Sequence, residues 1–361
     1  MRLLNINLDI FNNRIVWVDW AKFLAIFAIL IVHCSSDFLM SNVIGSGNWL
    51  VAVFFESLTR WGVLVFIMVS GFLLLRKEYD LREFIFKRFK RVVLPFVLWN
   101  IVYIIVKIVF QHSLTDMGVL SVIFYFIAAF LDPTIITVQF WFVYMILGLY
   151  LVTPIISDWV RNADDLHINY FLIVWIIILL INFFNIKFLL VNYLGFFAGY
   201  LGLFVLGYYI PLKKSKGQLK YLDKPKTGII LFLIGLLGNF IGTWALSALS
   251  GQMSFVFLNL GDLTPFTLLE AIGIFAMILN FTPKIKSKLS NYIAVKVSLA
   301  SFGIYLVNVL VINMMEKVGI YSGNLNSFSI ILFAILTLII SYIIIIIFDE
   351  IPILKKFSGM S

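Results

Sequence analysis

Apolar runs of about twenty residues recur along this chain, broken by short polar segments. They fall roughly at 15–38, 48–75, 92–110, 139–158, 169–187, 194–212, 226–247, 263–281, 296–315 and 327–348. Wound as a helix at 1.5 Å per residue, such a run matches the ~30 Å hydrocarbon core of a bilayer. The pattern predicts an all-α, polytopic membrane protein of about ten transmembrane helices.

An eleventh stretch, GVLSVIFYFIAAFL at 118–131, is shorter and is bounded by Asp116 and by Asp132 and Pro133. Lys and Arg decide its role. They crowd three segments, within 76–91, 213–226 and 284–296. With ten crossings and the N-terminus inside, all three segments fall on the cytoplasmic side, as do Lys355 and Lys356. An eleventh crossing would throw the second and third outside, so 118–131 is expected to be an interfacial or re-entrant helix on the outer side. Both termini are then cytoplasmic. The start, MRLLNINLDIFNNR, has no short apolar core with a small-residue cleavage site, so the first span reads as a retained helix.

Composition reinforces this reading. The chain is 62% hydrophobic with a mean hydropathy of +1.06 and 12% charged residues, too few to coat a soluble fold of 361 residues. Residues 1–361 read as a single integral membrane domain, without a polar appended domain or an internal repeat. A net charge of +9 raises nucleic acid as a partner, but the basic residues lie in short segments between spans, not on a helix face that reads bases. Membrane lipids are the expected surroundings. A lone Cys34 excludes an intrachain disulfide and a cysteine-built metal cluster.

Ionisable groups inside a span cost free energy and are functional candidates by default. In the first span, Lys22 and His33 are eleven residues apart, about three turns and roughly 16 Å along one helix face. Asp19 and Asp37 fall on or near the same stripe. The seam is either a packing device, with Lys22 snorkelling or pairing with Asp19, or a site where His33 takes a proton near neutral pH. Cys34 points about 100° away from His33 and forms no dyad with it.

Elsewhere, Ser70 and Gly71 interrupt an apolar run, as a small-residue packing site or a place of close ligand approach. Arg88 and Arg91 share a helix face at the mouth of the third span, ahead of Pro95, and suit either a multiply phosphorylated ligand or lipid phosphates. Glu56 and Arg60 have the spacing of an i,i+4 ion pair and could also face the seam. Ser298, Ser301, Tyr305 and Asn308 make an inward polar stripe on the ninth span. Trp141 is either an interfacial anchor or a wall of a substrate tunnel.

Taken in order, these segments resemble the acyltransferase-3 family of bacterial membrane proteins. Arg14, Asp19, Lys22 and His33 fit its first-span pattern, and Ser70, Gly71 and Phe72 its Ser-Gly-aromatic motif. Arg88, Arg91 and Pro95 fit its Arg-x-x-Arg pair before a proline-bearing span. WFVYMILGLYLVTP resembles its Trp-Phe-Leu span, and SLASFGIYLVN its Ser-Phe-Gly-Ile-Tyr-Leu segment. The chain departs at Asn308, where the family often carries His.

The resemblance implies a multi-pass protein of the bacterial cytoplasmic membrane that takes an acyl group, usually acetyl, from acyl-CoA. The acceptor would be a cell-envelope glycan or lipid-linked sugar at the outer face. No cofactor is held permanently and no metal is needed. On this expectation His33 is the general base, with Asp37 orienting or stabilising its imidazole. Lys22, Ser70, Gly71, Arg88 and Arg91 line the donor path, and Glu56, Arg60, Trp141, Tyr305 and Asn308 meet the acceptor. The alternative is an exporter or flippase of a polysaccharide or lipid-linked sugar, using the same seam as a substrate path.

Overall fold

The computed structural model describes residues 14–111, 119–132, 135–184, 199–252, 263–282, 285, 287–322 and 326–360, which contain helices and no strand. In chain order the helices are α1 (Val16–Ser41), α2 (Gly47–Thr59), α3 (Gly62–Leu75) and α4 (Leu81–Gln111). α5 (Val119–Leu131), α6 (Trp141–Asn162), α7 (Asp165–Phe183) and α8 (Leu201–Ser215) follow. α9 (Pro225–Ser250), α10 (Pro265–Phe281), α11 (Lys288–Lys317) and α12 (Ile330–Glu350) complete the set.

Local chemistry places the helix starts. The side chains of Ser46, Asp164, Thr264 and Ser287 accept hydrogen bonds from the N–H groups of Trp49, His167, Thr267 and Ser290, donors that the helix itself leaves unpaired. Pro225 and Pro265 occupy the first turns of α9 and α10, where a missing N–H costs nothing.

Eight stretches are long and apolar enough to cross a membrane: α1, α2 with α3, α4, α6, α7, α9, α11 and α12. The remaining two apolar runs form shorter helices, α8 of 15 residues and α10 of 17. The expected span 194–212 thus appears as 201–215, and its residues 194–198 lie outside the described set, as do Lys284 and Lys286. α8 can be short because it is encased: it packs on α3 and α7, and its buried residues run round the helix from Gly202 to Pro211. α5, with 13 residues, reaches about 20 Å and is too short to cross.

α1 is the hub, packed against α2, α3, α10, α11 and α12. Glycines set the closest approaches. A Cβ on Gly71 would lie 1.9 Å from the carbonyl oxygen of Phe204 in α8, and one on Gly207 would lie 2.1 Å from that of Met68 in α3. Such backbone-to-backbone contact is the packing expected where lipid removes the hydrophobic drive between helices.

The basic segments gather at one end of the bundle. There Arg161 at the end of α6 pairs with Glu78 beyond α3, Lys213 at the end of α8 with Asp165 at the start of α7, and Lys214 with Asn280 at the end of α10. Trp20 near the start of α1 donates to Asn291 near the start of α11 (2.8 Å).

Candidate active site

Two cavities lie end to end along α1. The larger, about 630 Å³, is lined by His33, Asp37, Glu56, Arg60, Trp141 and Tyr305, together with apolar residues of α1, α3 and α11. The smaller, about 240 Å³, lies toward the basic end and is lined by Lys22, Ser70, Lys77, Arg88, Arg91 and Tyr150, among others. An adjoining cleft of about 370 Å³ shares Arg88 and Arg91 with it.

In the larger cavity, His33 Nδ1 lies 2.6 Å from Asn308 Oδ1. The Asn308 amide nitrogen already donates to the carbonyls of Tyr305 (2.6 Å) and Ile304 (3.3 Å), so its oxygen faces the imidazole. An amide oxygen only accepts. Nδ1 therefore carries the hydrogen in the neutral ring and Nε2 keeps its lone pair, the tautomer assigned by this hydrogen-bond network.

Beside it, Arg60 and Glu56 form an ion pair (2.5 Å) with both side chains under a tenth exposed, and Ser35 donates to the other carboxylate oxygen of Glu56 (2.5 Å). Arg60 sits in the turn between α2 and α3, so one apolar run yields two helices with a guanidinium at their junction. Tyr305 donates to the Gln139 carbonyl, and Gln139 in turn donates to Tyr103 (3.2 Å). Trp141 stands in the cavity wall at the start of α6, its ring stacked on Tyr200 with centroids 5.6 Å apart.

Three expected placements change. Asp37, expected to orient or stabilise the imidazole, lines the cavity, but the contact at Nδ1 of His33 is made by Asn308. Asn308 itself is wholly buried behind the imidazole and is not part of the cavity wall. Gly71 faces the α8 backbone and not the donor-side cavity, because close helix contact consumes the space that a ligand would need.

Lys22, Arg88 and Arg91 line the smaller cavity, and Glu78, Asp80 and Glu83 line the adjoining cleft that shares Arg88 and Arg91. Asp19, the nearest acid on α1, is taken up by a bidentate pair with Arg14 and by the Ser298 hydroxyl (2.7 Å). Among the described residues no carboxylate is ion-paired with Lys22, Arg88 or Arg91. A polyanion would supply a partner for all three.

An aromatic layer separates the two cavities. Phe66 and Phe142 line the smaller and Tyr305 the larger, with ring centroids 6.4 Å apart for Phe66 and Phe142 and 5.0 Å for Phe142 and Tyr305. On α3, α6 and α11 the two linings lie within a single turn of each other, as with Val63 and Phe66, Trp141 and Phe142, and Ser301 and Tyr305.

The cavities also hold residues that the motif reading does not single out. Thr137 and Gln139 form the edge of the His33 cavity and are signalled only by a polar pair in the apolar approach to α6. Lys77 and Tyr150 line the cationic cavity, and their only sign is nearness in sequence to the matched motifs.

The acyltransferase-3 family model, described as an acyltransferase domain, matches residues 15–346. No curated protein and no solved structure matches the chain. The match covers nearly the whole chain, including His33, Lys22, Arg88 and Arg91, so this multi-pass membrane protein belongs to the acyltransferase-3 family.

Proposed function

We propose that the protein is an acyl-CoA-dependent O-acetyltransferase of the bacterial cytoplasmic membrane, acetylating a hydroxyl of a cell-envelope glycan or lipid-linked sugar at the outer face. The observation that carries this reading is the pairing, along one helix, of a cavity whose Lys22, Arg88 and Arg91 form no ion pair among the described residues with a cavity whose histidine presents a free Nε2. Coenzyme A is a polyanion with a long uncharged arm. Its phosphates suit Arg88, Arg91, Lys77 and Lys22, and the roughly 16 Å from Lys22 to His33 suits the extended pantetheine. The gathering of basic segments at the donor end supports a cytoplasmic position for that end.

In this reading Nε2 of His33 takes the proton of the acceptor hydroxyl as its oxygen attacks the thioester carbonyl carbon. The tetrahedral intermediate collapses with cleavage of the carbon–sulfur bond. The departing thiolate recovers the proton from the imidazolium, leaving an ester and free coenzyme A. Asn308 keeps Nδ1 protonated throughout, and Arg60 supplies positive charge beside the oxygen that gains negative charge. A sugar exporter would need neither the unpaired cations nor an imidazole fixed in one tautomer.

Purified protein supplied with radiolabelled acetyl-CoA tests this directly. Transfer to a glycan or lipid-linked acceptor, or slow hydrolysis without one, is expected. Arg88→Ala and Arg91→Ala should each weaken acetyl-CoA binding by about 1.5–3 kcal/mol, with partial rescue by Lys, which lacks the guanidinium fork. Unchanged affinity in both alanine variants would remove the donor assignment.

A further inference from the structure

The family match ends at residue 346, but the chain continues past α12 into a segment that turns back onto the bundle. Its 3-10 turn, Lys355–Phe357, packs on α4 and α12. Ser358 and Gly359 are buried. The Ser358 hydroxyl lies 2.9 Å from the Lys355 carbonyl and 3.2 Å from an Asp349 carboxylate oxygen, and it accepts from the Met360 N–H (3.2 Å).

The docking is backbone against backbone. A Cβ on Gly303 of α11 would lie 2.2 Å from the Ser358 carbonyl oxygen, so only glycine there lets the segment seat. Gly359 has φ +69°, which a side chain disfavours, and its own Cβ would press within 3.1 Å of both the Gly303 nitrogen and the Phe302 ring. Gly359 seated in this way is part of the wall of the cationic cavity, which it shares with Lys22, Arg88, Arg91 and Tyr150.

We propose that residues 351–360 are a clasp that completes the acyl-CoA site and sets the affinity for the donor, with Gly359 as the wall facing coenzyme A. This rests on the donor reading above. The bundle contributes the cations, and the clasp closes the α11 side of the same cavity while bringing the exposed Lys355 and Lys356 to that end. A ligand that touches the seated segment stabilises it against release.

The test uses the full chain in detergent and coenzyme A as probe. In wild type, saturating coenzyme A should slow tryptic cleavage after Lys355 and Lys356 at least several-fold, without a matching change at the exposed Lys216 or Lys220. Ser358→Ala, which unties the clasp, and Gly359→Val, which unseats it, should raise the Kd for coenzyme A about tenfold, as loss of a polar contact does, with a smaller effect on kcat. Equal cleavage rates with and without coenzyme A, or unchanged Kd in either folded variant, would overturn the clasp. If both variants fail to fold, the wild-type cleavage rates decide alone. A wild-type protein that binds no coenzyme A would instead refute the donor reading itself, and the clasp with it.

Discussion

At the scale of single residues, the structure separates the jobs of His33 and Asn308. His33→Gln preserves size and hydrogen-bonding capacity, so the protein should still fold and bind acetyl-CoA, whose charged end lies about three turns away. Transfer should drop by about 10²- to 10⁴-fold, read as acetate incorporated per enzyme per minute. Near-normal transfer by a folded Gln variant would make His33 structural. Asn308→Leu removes the acceptor that holds Nδ1 and should slow transfer roughly 10- to 100-fold at unchanged acetyl-CoA affinity. Asn308→Asp keeps an acceptor oxygen there and should recover part of the loss. If the Leu variant matched wild type, the tautomer argument would fail. The histidine is legible in the sequence because an ionisable group in an apolar span stands out. Its partner, 275 positions away, is not, since nothing in the spacing of Asn308 says which helix it meets. Asp37 shows the converse: it is one turn from His33 along α1, yet the hydrogen bond at Nδ1 is made with Asn308 on another helix.

At the scale of helices, the contact of α3 with α8 depends on glycines that touch carbonyl oxygens. Gly71→Ala places a methyl group 1.9 Å from the Phe204 carbonyl, so the helices must part. A destabilisation of about 1–3 kcal/mol is expected, seen as a lower melting temperature in detergent, whereas Ser70→Ala should be nearly neutral to folding because its hydroxyl bonds only to its own helix (2.9 Å). Equal melting temperatures for wild type and Gly71→Ala would contradict the close approach. A Ser-Gly pair in an apolar run announces that something comes near, but not whether it is a ligand or a neighbouring backbone. The long spans are legible for the opposite reason: twenty apolar residues have few other fates. The shorter α8 is not, because a helix sheathed by other helices needs no particular length to match the bilayer.

At the scale of the whole molecule, the basic end should face the cytoplasm. A cysteine at Ser215, beside the basic cluster, should be shielded from an impermeant maleimide added outside intact cells. One at Ser46, in the turn before α2 at the other end of α1, should react. The native Cys34 is buried and should stay silent in both. Labelling at position 215 from outside would invert the arrangement and, on the proposed reading, take the cationic cavity away from the cytoplasmic pool of acyl-CoA. The order of the motifs along the chain makes this architecture readable in outline, but the division of the interior into two chambers depends on rings from α3, α6 and α11 that meet only once the bundle is assembled.

That ring layer bears on energy conservation as well as on chemistry. A water-filled bore through the bundle would short-circuit the membrane, where each elementary charge moving through 100 mV dissipates about 2.3 kcal/mol. Phe66, Phe142 and Tyr305 put aromatic rings, not a water-filled gap, between the two chambers. On the proposed acyl-CoA reading, the rings must part for an acetyl group to reach His33, and the thread that parts them is an uncharged arm filling the gap it opens. The donor would then serve as its own stopper, passing two carbons across the membrane interior without a current of protons beside them.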